Sequence, residues 1–153
     1  ITELSRLDFD LTAMLPEDER ILSPSDFGFH NTIVKPDGSF WFVDFEYAGW
    51  DDRAKLLGDL VHQIDIPIPS HFYGIIRDNL AASHPNPTLE SKFLDILTPI
   101  YGLKWIAIIL NPFTQLGMER ISRSNPENFE TYKVVHFQRA REKFSTLSET
   151  LNK

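Results

Sequence analysis

Two short apolar runs around a Pro-Asp-Gly turn constrain the fold of this chain more than any other feature of its sequence. The first run is Thr-Ile-Val at 32–34 and the second is Phe-Trp-Phe-Val at 40–43, with Pro-Asp-Gly at 36–38 between them. Proline restricts φ and glycine tolerates positive φ, so this turn favours a tight hairpin. The sequence therefore predicts two antiparallel strands joined by a turn.

Polar residues stand at both ends of the predicted hairpin. Asn31 precedes the first strand, Asp44 follows the second, and Asp26 lies on the loop before Asn31. Because a hairpin brings its ends together, we expect Asn31 and Asp44 side by side, where their oxygen atoms suit Mg²⁺. Asp26 could orient, or take a proton from, a hydroxyl that attacks a metal-bound phosphate. These three residues are the parts of a phosphoryl-transfer site.

The spacing of these residues resembles the catalytic and metal-binding loops of the protein-kinase-like fold. Asp26-x4-Asn31 is followed by strand, turn, strand and Val-Asp-Phe at 43–45. The closer likeness is to the aminoglycoside phosphotransferase and choline kinase group, which carries His-Gly-Asp-x4-Asn, a hairpin and Ile-Asp-Phe or Ile-Asp-Trp. Here Pro-Ser at 24–25 replaces the His-Gly of that pattern. The resemblance is strong over 20–62 and general in the remainder.

The resemblance implies a fold and a reaction. The expected fold is α+β and predominantly helical, the C-terminal lobe of a protein-kinase-like fold. It would form one domain over 1–153, with the catalytic and metal loops at 22–52 and a helical subdomain at 53–153. The expected reaction transfers the γ-phosphate of ATP, or of another nucleoside triphosphate, to a hydroxyl of a small substrate such as an aminoglycoside, a sugar or an amino alcohol.

The resemblance also implies a role for particular residues. Asp26 would be the catalytic residue, and Asn31 and Asp44 would hold Mg²⁺ on the nucleotide phosphates. Glu46 and Trp50 are candidate substrate contacts. Asp59, which lies among apolar residues, would brace the catalytic loop.

A nucleotide-binding lobe is the partner that the resemblance implies. In that group an N-terminal lobe clamps ATP, but no glycine-rich loop and no strand with a nucleotide-contacting lysine precede residue 20. The first residue is Ile rather than Met. We therefore expect the chain to be a piece of a longer protein that supplies this lobe.

Charge and cysteine content exclude several other classes of function. The net charge is −7, from 15 basic and 22 acidic residues, which argues against nucleic acid or an anionic membrane as a partner. The absence of cysteine excludes disulfides and thiolate metal sites. No apolar run approaches the roughly 20 residues that a membrane span needs, so the expected location is the cytoplasm.

Helical periodicity accounts for the residues outside the hairpin region. Apolar spacing predicts helices at 1–15, 53–64, 69–83, 89–110, 114–121 and 129–151. Asp52 and Thr88 are the predicted caps of the second and fourth of these helices. The second half of the 89–110 helix is apolar on most sides, which predicts that it is buried and central.

Two other interpretations stay open. The chain could be a kinase-like lobe that has lost catalysis and acts as a binding module, which the Pro-Ser replacement and the missing lobe favour. It could also be a structural helical domain whose loop matches the pattern by chance. The aromatic residues around the hairpin either line a pocket for a cationic group or, more ordinarily, pack beneath the hairpin. They are Trp41, Phe45, Tyr47 and Trp50.

Overall fold

The computed structural model of the chain describes residues 14–124 and 126–151, and most of them are helical. The strands are β1 (Ile21–Ser23), β2 (Thr32–Val34), β3 (Phe40–Phe42) and β4 (Gly49–Asp51). The helices are α1 (Arg53–His62), α2 (Tyr73–Ala82), α3 (Pro87–Ile109), α4 (Gln115–Ser124) and α5 (Phe129–Leu151). A predominantly helical α+β fold is therefore confirmed. The helix predicted at 1–15 falls almost entirely on residues 1–13, outside the described residues.

The predicted hairpin is formed by β2 and β3. The two strands are antiparallel and pair Thr32 with Phe42 and Val34 with Phe40. Gly38 has a φ of 81°, a conformation that glycine adopts without a Cβ penalty. Asp37 stabilises the turn because its Oδ1 accepts hydrogen bonds from the backbone N–H and the hydroxyl of Ser39, at 2.9 and 2.7 Å.

A second two-stranded ribbon joins the ends of the segment that carries the hairpin. β1 pairs with β4 in antiparallel fashion, with Ile21 opposite Asp51 and Ser23 opposite Gly49. Residues 20–23 are a short strand candidate in the sequence, but the partner strand is not, since Gly-Trp-Asp has no alternation of apolar and polar residues. The ribbon places the loop before the hairpin next to the start of α1.

The first helix is fixed at its start and buried on one side. The Asp52 side chain accepts a hydrogen bond from the Lys55 backbone N–H, so it is the predicted cap of α1. α1 packs against α2. Arg53, also buried, donates to Ser83 Oγ at 3.0 Å and to the carbonyl of Glu19 at 2.9 Å. These bonds tie the residues before β1 and the end of α2 to α1.

The chain divides into two compact units at a boundary inside α3, between Thr98 and Pro99. α3 begins earlier than predicted: Asn86 Oδ1 accepts the Leu89 N–H at 3.2 Å, so Asn86 rather than Thr88 caps the helix. Pro99 lies inside α3, which continues through it to Ile109. The prediction of one domain over 1–153 stays a prediction.

The second half of α3 is buried on one side only. Trp105 and Ile109 are buried, whereas Ile100, Leu103 and Ile108 remain 44–46% exposed. The prediction that this half is a buried central helix is therefore wrong for most of its apolar side chains. Because the sequence is apolar on most sides of this helix, it did not indicate which side would be buried against other residues.

The second unit is built from the part of α3 after Thr98, a 3-10 turn at Asn111–Phe113, α4 and α5. α4 lies against this turn, and the Phe113 ring meets the Phe137 ring of α5 edge to face, with 6.1 Å between centroids. The bounds of α5 agree with the predicted helix at 129–151. Within the described residues, none of the helices combines the length and the apolar character that crossing a bilayer requires.

Candidate active site

The loop between β1 and β2 presents Asp26 through an unusual backbone. Ser25 has a φ of 70°, in the left-handed region, and the Asp26 N–H donates to the Pro24 carbonyl at 2.9 Å. The side chain of Asp26 is 46% exposed, with Oδ1 lying 3.4 Å from His30 Nε2. A Cβ at Gly28 would stand 2.6 Å from the His30 ring, so the close approach of loop and ring requires glycine.

Asn31 bonds to the loop with its amide nitrogen. Its Nδ2 donates to the backbone carbonyl of Asp26 at 3.0 Å and lies 3.5 Å from the carboxylate. Because the amide nitrogen makes these contacts with the loop, the side-chain oxygen of Asn31 is the atom that could bind a cation. An amide oxygen held this way is a suitable donor for a hard cation.

Asp44 directly follows Val43, whose backbone is hydrogen-bonded to the backbone of Asn31. The Val43 N–H donates to the Asn31 carbonyl at 2.9 Å, which continues the hairpin pairing one step beyond β2 and β3. Asp44 is exposed and has a φ of 64°. Non-glycine residues in this conformation are strained and are concentrated at functional sites.

Lys55 links the loop to the buried side of α1. Its ammonium lies 2.7 Å from Ser25 Oγ, 2.7 Å from Asp51 Oδ2 and 3.1 Å from Asp59 Oδ2. Burial lowers the pKa of Lys55, but its hydrogen bonds to Asp51 and Asp59 outweigh that effect and the net shift is upward. Asp59, 1% exposed, thus reaches the loop through Lys55.

The two candidate substrate contacts lie beyond β3. Glu46 is exposed, and Trp50, in β4, is 71% exposed. The other aromatic residues of this region are exposed as well, so the interpretation that they pack beneath the hairpin does not hold for the described residues: Trp41 57%, Phe45 52%, Tyr47 70%. Lys35 Nζ lies 3.5 Å from the centroid of the Trp41 ring, so an internal cation already occupies that ring.

An apolar cavity of about 250 Å³ lies beside the loop. Four aromatic residues contribute to it, namely Phe27 and Phe29 of the loop, Phe42 of β3, and Phe72 just before α2. The Phe27 and Phe42 rings are 4.8 Å apart between centroids. The cavity therefore borders the residue that follows Asp26, and its walls have no charged group.

The magnesium site predicted at Asn31 and Asp44 stays a prediction. Among the described residues, no three His, Cys, Asp or Glu side chains cluster as a metal site. Mg²⁺ usually binds through few protein groups and takes its other ligands from water and phosphate, so one amide oxygen and one carboxylate would be a sufficient protein contribution.

Lys55 and Ser25 are the site residues that sequence reasoning missed. Asp51, Lys55 and Asp59 follow one another at intervals of four, a spacing that brings side chains together on one face of a helix and its approach. That spacing was the available signal. The left-handed conformation of Ser25 had no such signal, since serine ordinarily has negative φ.

Comparison with known proteins gives no match: no protein-family model, curated protein or solved structure is similar to this chain.

Proposed function

We propose that this chain is the helical lobe of a small-molecule kinase that uses ATP, or another nucleoside triphosphate, and Mg²⁺. The observation that carries the proposal is the bonding of Asn31. Its side chain binds the Asp26 backbone and its carbonyl receives the Val43 N–H, so Asp26 and Asp44 lie on either side of it. A carboxylate for the nucleophile and two oxygen donors for the metal are the minimum set for phosphoryl transfer.

The backbone of the loop supports the resemblance to the aminoglycoside phosphotransferase and choline kinase group. That group has glycine directly before its catalytic Asp, and the corresponding residue here, Ser25, has a left-handed φ of 70°. Left-handed backbone is the conformation that favours glycine. The Gly-to-Ser departure therefore keeps the conformation for which glycine is suited.

Each residue has a role that follows from its place. Asp26 accepts a hydrogen bond from the acceptor hydroxyl, orients it and takes its proton as the phosphoryl group is transferred. Asn31 holds the Asp26 backbone and, with Asp44, offers oxygen atoms to the metal. Magnesium, when bound there, supplies neutralisation of the phosphate charge. ATP as phosphoryl donor agrees with an enzyme of the cytoplasm.

The cavity beside the loop favours an acceptor alcohol that has an apolar part. Phe27 follows Asp26 and lines the cavity, so a hydroxyl near Asp26 would place an attached ring or alkyl group against Phe27 and Phe72. Pockets of this kind bind ligands mainly through apolar contacts. Among acceptors, this favours an amino alcohol with a hydrocarbon portion over a sugar.

The proposal is tested by magnesium-dependent nucleotide binding and hydrolysis, which need no knowledge of the acceptor. Asp44→Ala should weaken the affinity for Mg²⁺-ATP, measured by calorimetry. Asp26→Asn should leave that affinity nearly unchanged but lower phosphoryl transfer by roughly 100-fold or more, in the range expected for loss of a general base.

Asp37→Asn is the matched control, because Asp37 is an exposed acid in the turn at the other end of the same hairpin. If Asp37→Asn and Asp44→Ala weaken binding equally, the metal is not held at the hairpin mouth. If neither this chain nor a longer form of the protein binds Mg²⁺-ATP at all, the binding-module interpretation replaces the enzyme. The exposed aromatic surface around the hairpin is the feature that would then serve as the contact.

A further inference from the structure

We propose that Lys55 is a positioning residue that holds Ser25 in its left-handed conformation and thereby sets the direction of Asp26. The inference rests on the proposed function for its consequence in catalysis, but its structural part stands on the contacts of Lys55 alone. Lys55 lies in the first turn of α1, outside the Asp26-x4-Asn31 pattern.

The Lys55 ammonium lies among oxygen atoms of the loop, of β4 and of α1. It donates a hydrogen bond to Ser25 Oγ at 2.7 Å and forms ion pairs with Asp51 Oδ2 at 2.7 Å and Asp59 Oδ2 at 3.1 Å. The Ser25 carbonyl lies farther away, at 3.4 Å. The two carboxylates fix the ammonium, and the ammonium in turn fixes the serine hydroxyl.

The serine needs such an anchor because its backbone is in a conformation that L-residues with a Cβ avoid. Its φ is 70°, and its N–H donates to Oγ of Ser23, a buried residue of β1, at 3.1 Å. Asp26 follows directly. A change of sign in the φ of Ser25 would therefore turn the Asp26 carboxylate away from Asn31.

The anchor is held by contacts in both the ribbon and the helix. Asp59 is 1% exposed on the buried face of α1, Asp51 belongs to β4, and the Asp52 side chain caps the helix at the Lys55 N–H. Ser25 is thus tied to both the second ribbon and the first helix. An ion pair that served only to neutralise Asp51 and Asp59 would not require the serine hydroxyl.

Two substitutions of Ser25 separate positioning from charge neutralisation. Ser25→Ala and Ser25→Gly both remove the hydroxyl that Lys55 binds, and both leave Lys55, Asp51 and Asp59 intact. Of the two replacements, only glycine adopts positive φ without a steric penalty. The one-bond Cα–Hα coupling of residue 25, measured by NMR, should therefore report positive φ in the glycine variant and its loss in the alanine variant.

The amide resonances of Asp26 and Asn31 should shift in the alanine variant and stay close to their original positions in the glycine variant. Ser39→Ala and Ser39→Gly form the matched control, since the Ser39 hydroxyl also makes a side-chain hydrogen bond, donated to Asp37, but Ser39 lies outside the positive-φ region. Neither should move the Asp26 resonance.

Lys55→Met should reproduce the alanine result, and adding Ser25→Gly to it should restore the Asp26 resonance. In magnesium-dependent ATP hydrolysis, Ser25→Ala should lower kcat about 10-fold with little change in KM, as expected for misplacement of a catalytic group. If Lys55→Met does not fold, the two Ser25 variants still decide the question.

Retention of positive φ at residue 25 in Ser25→Ala would overturn the proposal, because the conformation would then not depend on the hydroxyl that Lys55 binds. Equal displacement of Asp26 in the alanine and glycine variants would overturn it too. A correct NMR pattern without any hydrolysis, in this chain or in a longer form of the protein, would leave Lys55 as the anchor of the loop and reject the kinase reaction instead.

Discussion

At the scale of single residues, the candidate site has a residue pattern that can be recognised in the sequence and backbone conformations that cannot. The two apolar runs around a Pro-Asp-Gly turn were sufficient to predict the hairpin between Asn31 and Asp44. The positive φ of Ser25 and Asp44 was not predictable, because neither residue is glycine. Left-handed backbone costs such residues about 1–2 kcal/mol and persists only where the surroundings impose it. At Ser25 the proposed source of this constraint is Lys55, which lies 30 residues farther along the chain.

Tyr73 gives a prediction about pH at the same scale. Burial is the main cause that raises the pKa of Tyr73 from 10.0 to about 12, while a hydrogen bond involving Thr98 acts in the opposite direction. The Tyr73 hydroxyl also donates to Asp95 Oδ1 at 3.0 Å. The pKa of this phenol is higher in the folded than in the unfolded chain, so its stabilising contribution is fully present below pH 10 and is lost as the pH rises through about 12.

Tyr73→Phe should therefore reduce the fall in unfolding free energy between these pH values, measured by urea denaturation. It should also remove the component near pH 12 from the ultraviolet titration of tyrosinate. A Tyr47→Phe variant, at a site 70% exposed, should leave that component in place. If the titration component near pH 12 is still present in Tyr73→Phe, it does not belong to Tyr73.

At the scale of elements, helices were predicted well and one strand was missed. α5 has the predicted bounds, and α1 ends two residues before its predicted end because apolar periodicity continues past the last helical turn. β4 was missed because three residues carry too short a pattern, and its pairing with β1 depends on tertiary structure. The capping of α3 by Asn86 shows the same limit, since Asn86 and the predicted cap Thr88, two residues apart, are both residue types that cap helices.

Two helical glycines give opposite predictions for the same substitution. A Cβ at Gly74, in α2, would meet nothing within 4 Å, whereas a Cβ at Gly117, in α4, would stand 1.9 Å from the Asn111 carbonyl oxygen. Gly74→Ala should raise the free energy of unfolding by about 0.5 kcal/mol through helix propensity. Gly117→Ala should lower it by roughly 2 kcal/mol or more, because α4 must move off the 111–113 turn.

Urea denaturation of the two variants measures both effects, and each serves as the control for the other. A loss of stability in both would mean that α2 has less space beside Gly74 than the structure indicates. Tolerance of Gly117→Ala would mean that the contact between α4 and the 111–113 turn is not fixed.

At the scale of the whole molecule, apolar surface is concentrated around the hairpin. Monomeric proteins rarely leave large contiguous apolar patches in water. Here the strands and the residues after them carry many exposed apolar side chains: Ile33, Val34, Phe40, Trp41, Phe42, Val43, Phe45, Tyr47 and Trp50. This surface agrees with the expectation of a further lobe, which stays a prediction.

Tryptophan fluorescence can measure this exposure directly. Trp41 and Trp50 are 57% and 71% exposed, and Trp105 is 8% exposed. Acrylamide, a neutral quencher, should therefore quench strongly the emission of the unsubstituted chain and of Trp105→Phe. It should quench weakly the emission of a Trp41→Phe, Trp50→Phe double variant. Equal quenching of both variants would contradict the exposure of the hairpin, and protection in a longer form of the protein would identify what covers it.

The ribbon of β1 and β4 has a consequence for the order in which the molecule assembles. The helices form from contacts between near neighbours in the chain, whereas Ile21 meets Asp51 only after the whole intervening segment has closed into a loop. Contacts that join distant residues form late in folding, and elements with few buried apolar contacts open at low free energy. We therefore expect the candidate site, whose segment this three-residue ribbon closes, to be completed after the helices of the first unit and to open at a lower free energy than they do. The proposed reaction would then require the pairing of β1 with β4, and loss of this pairing would stop the reaction while the helices remain folded.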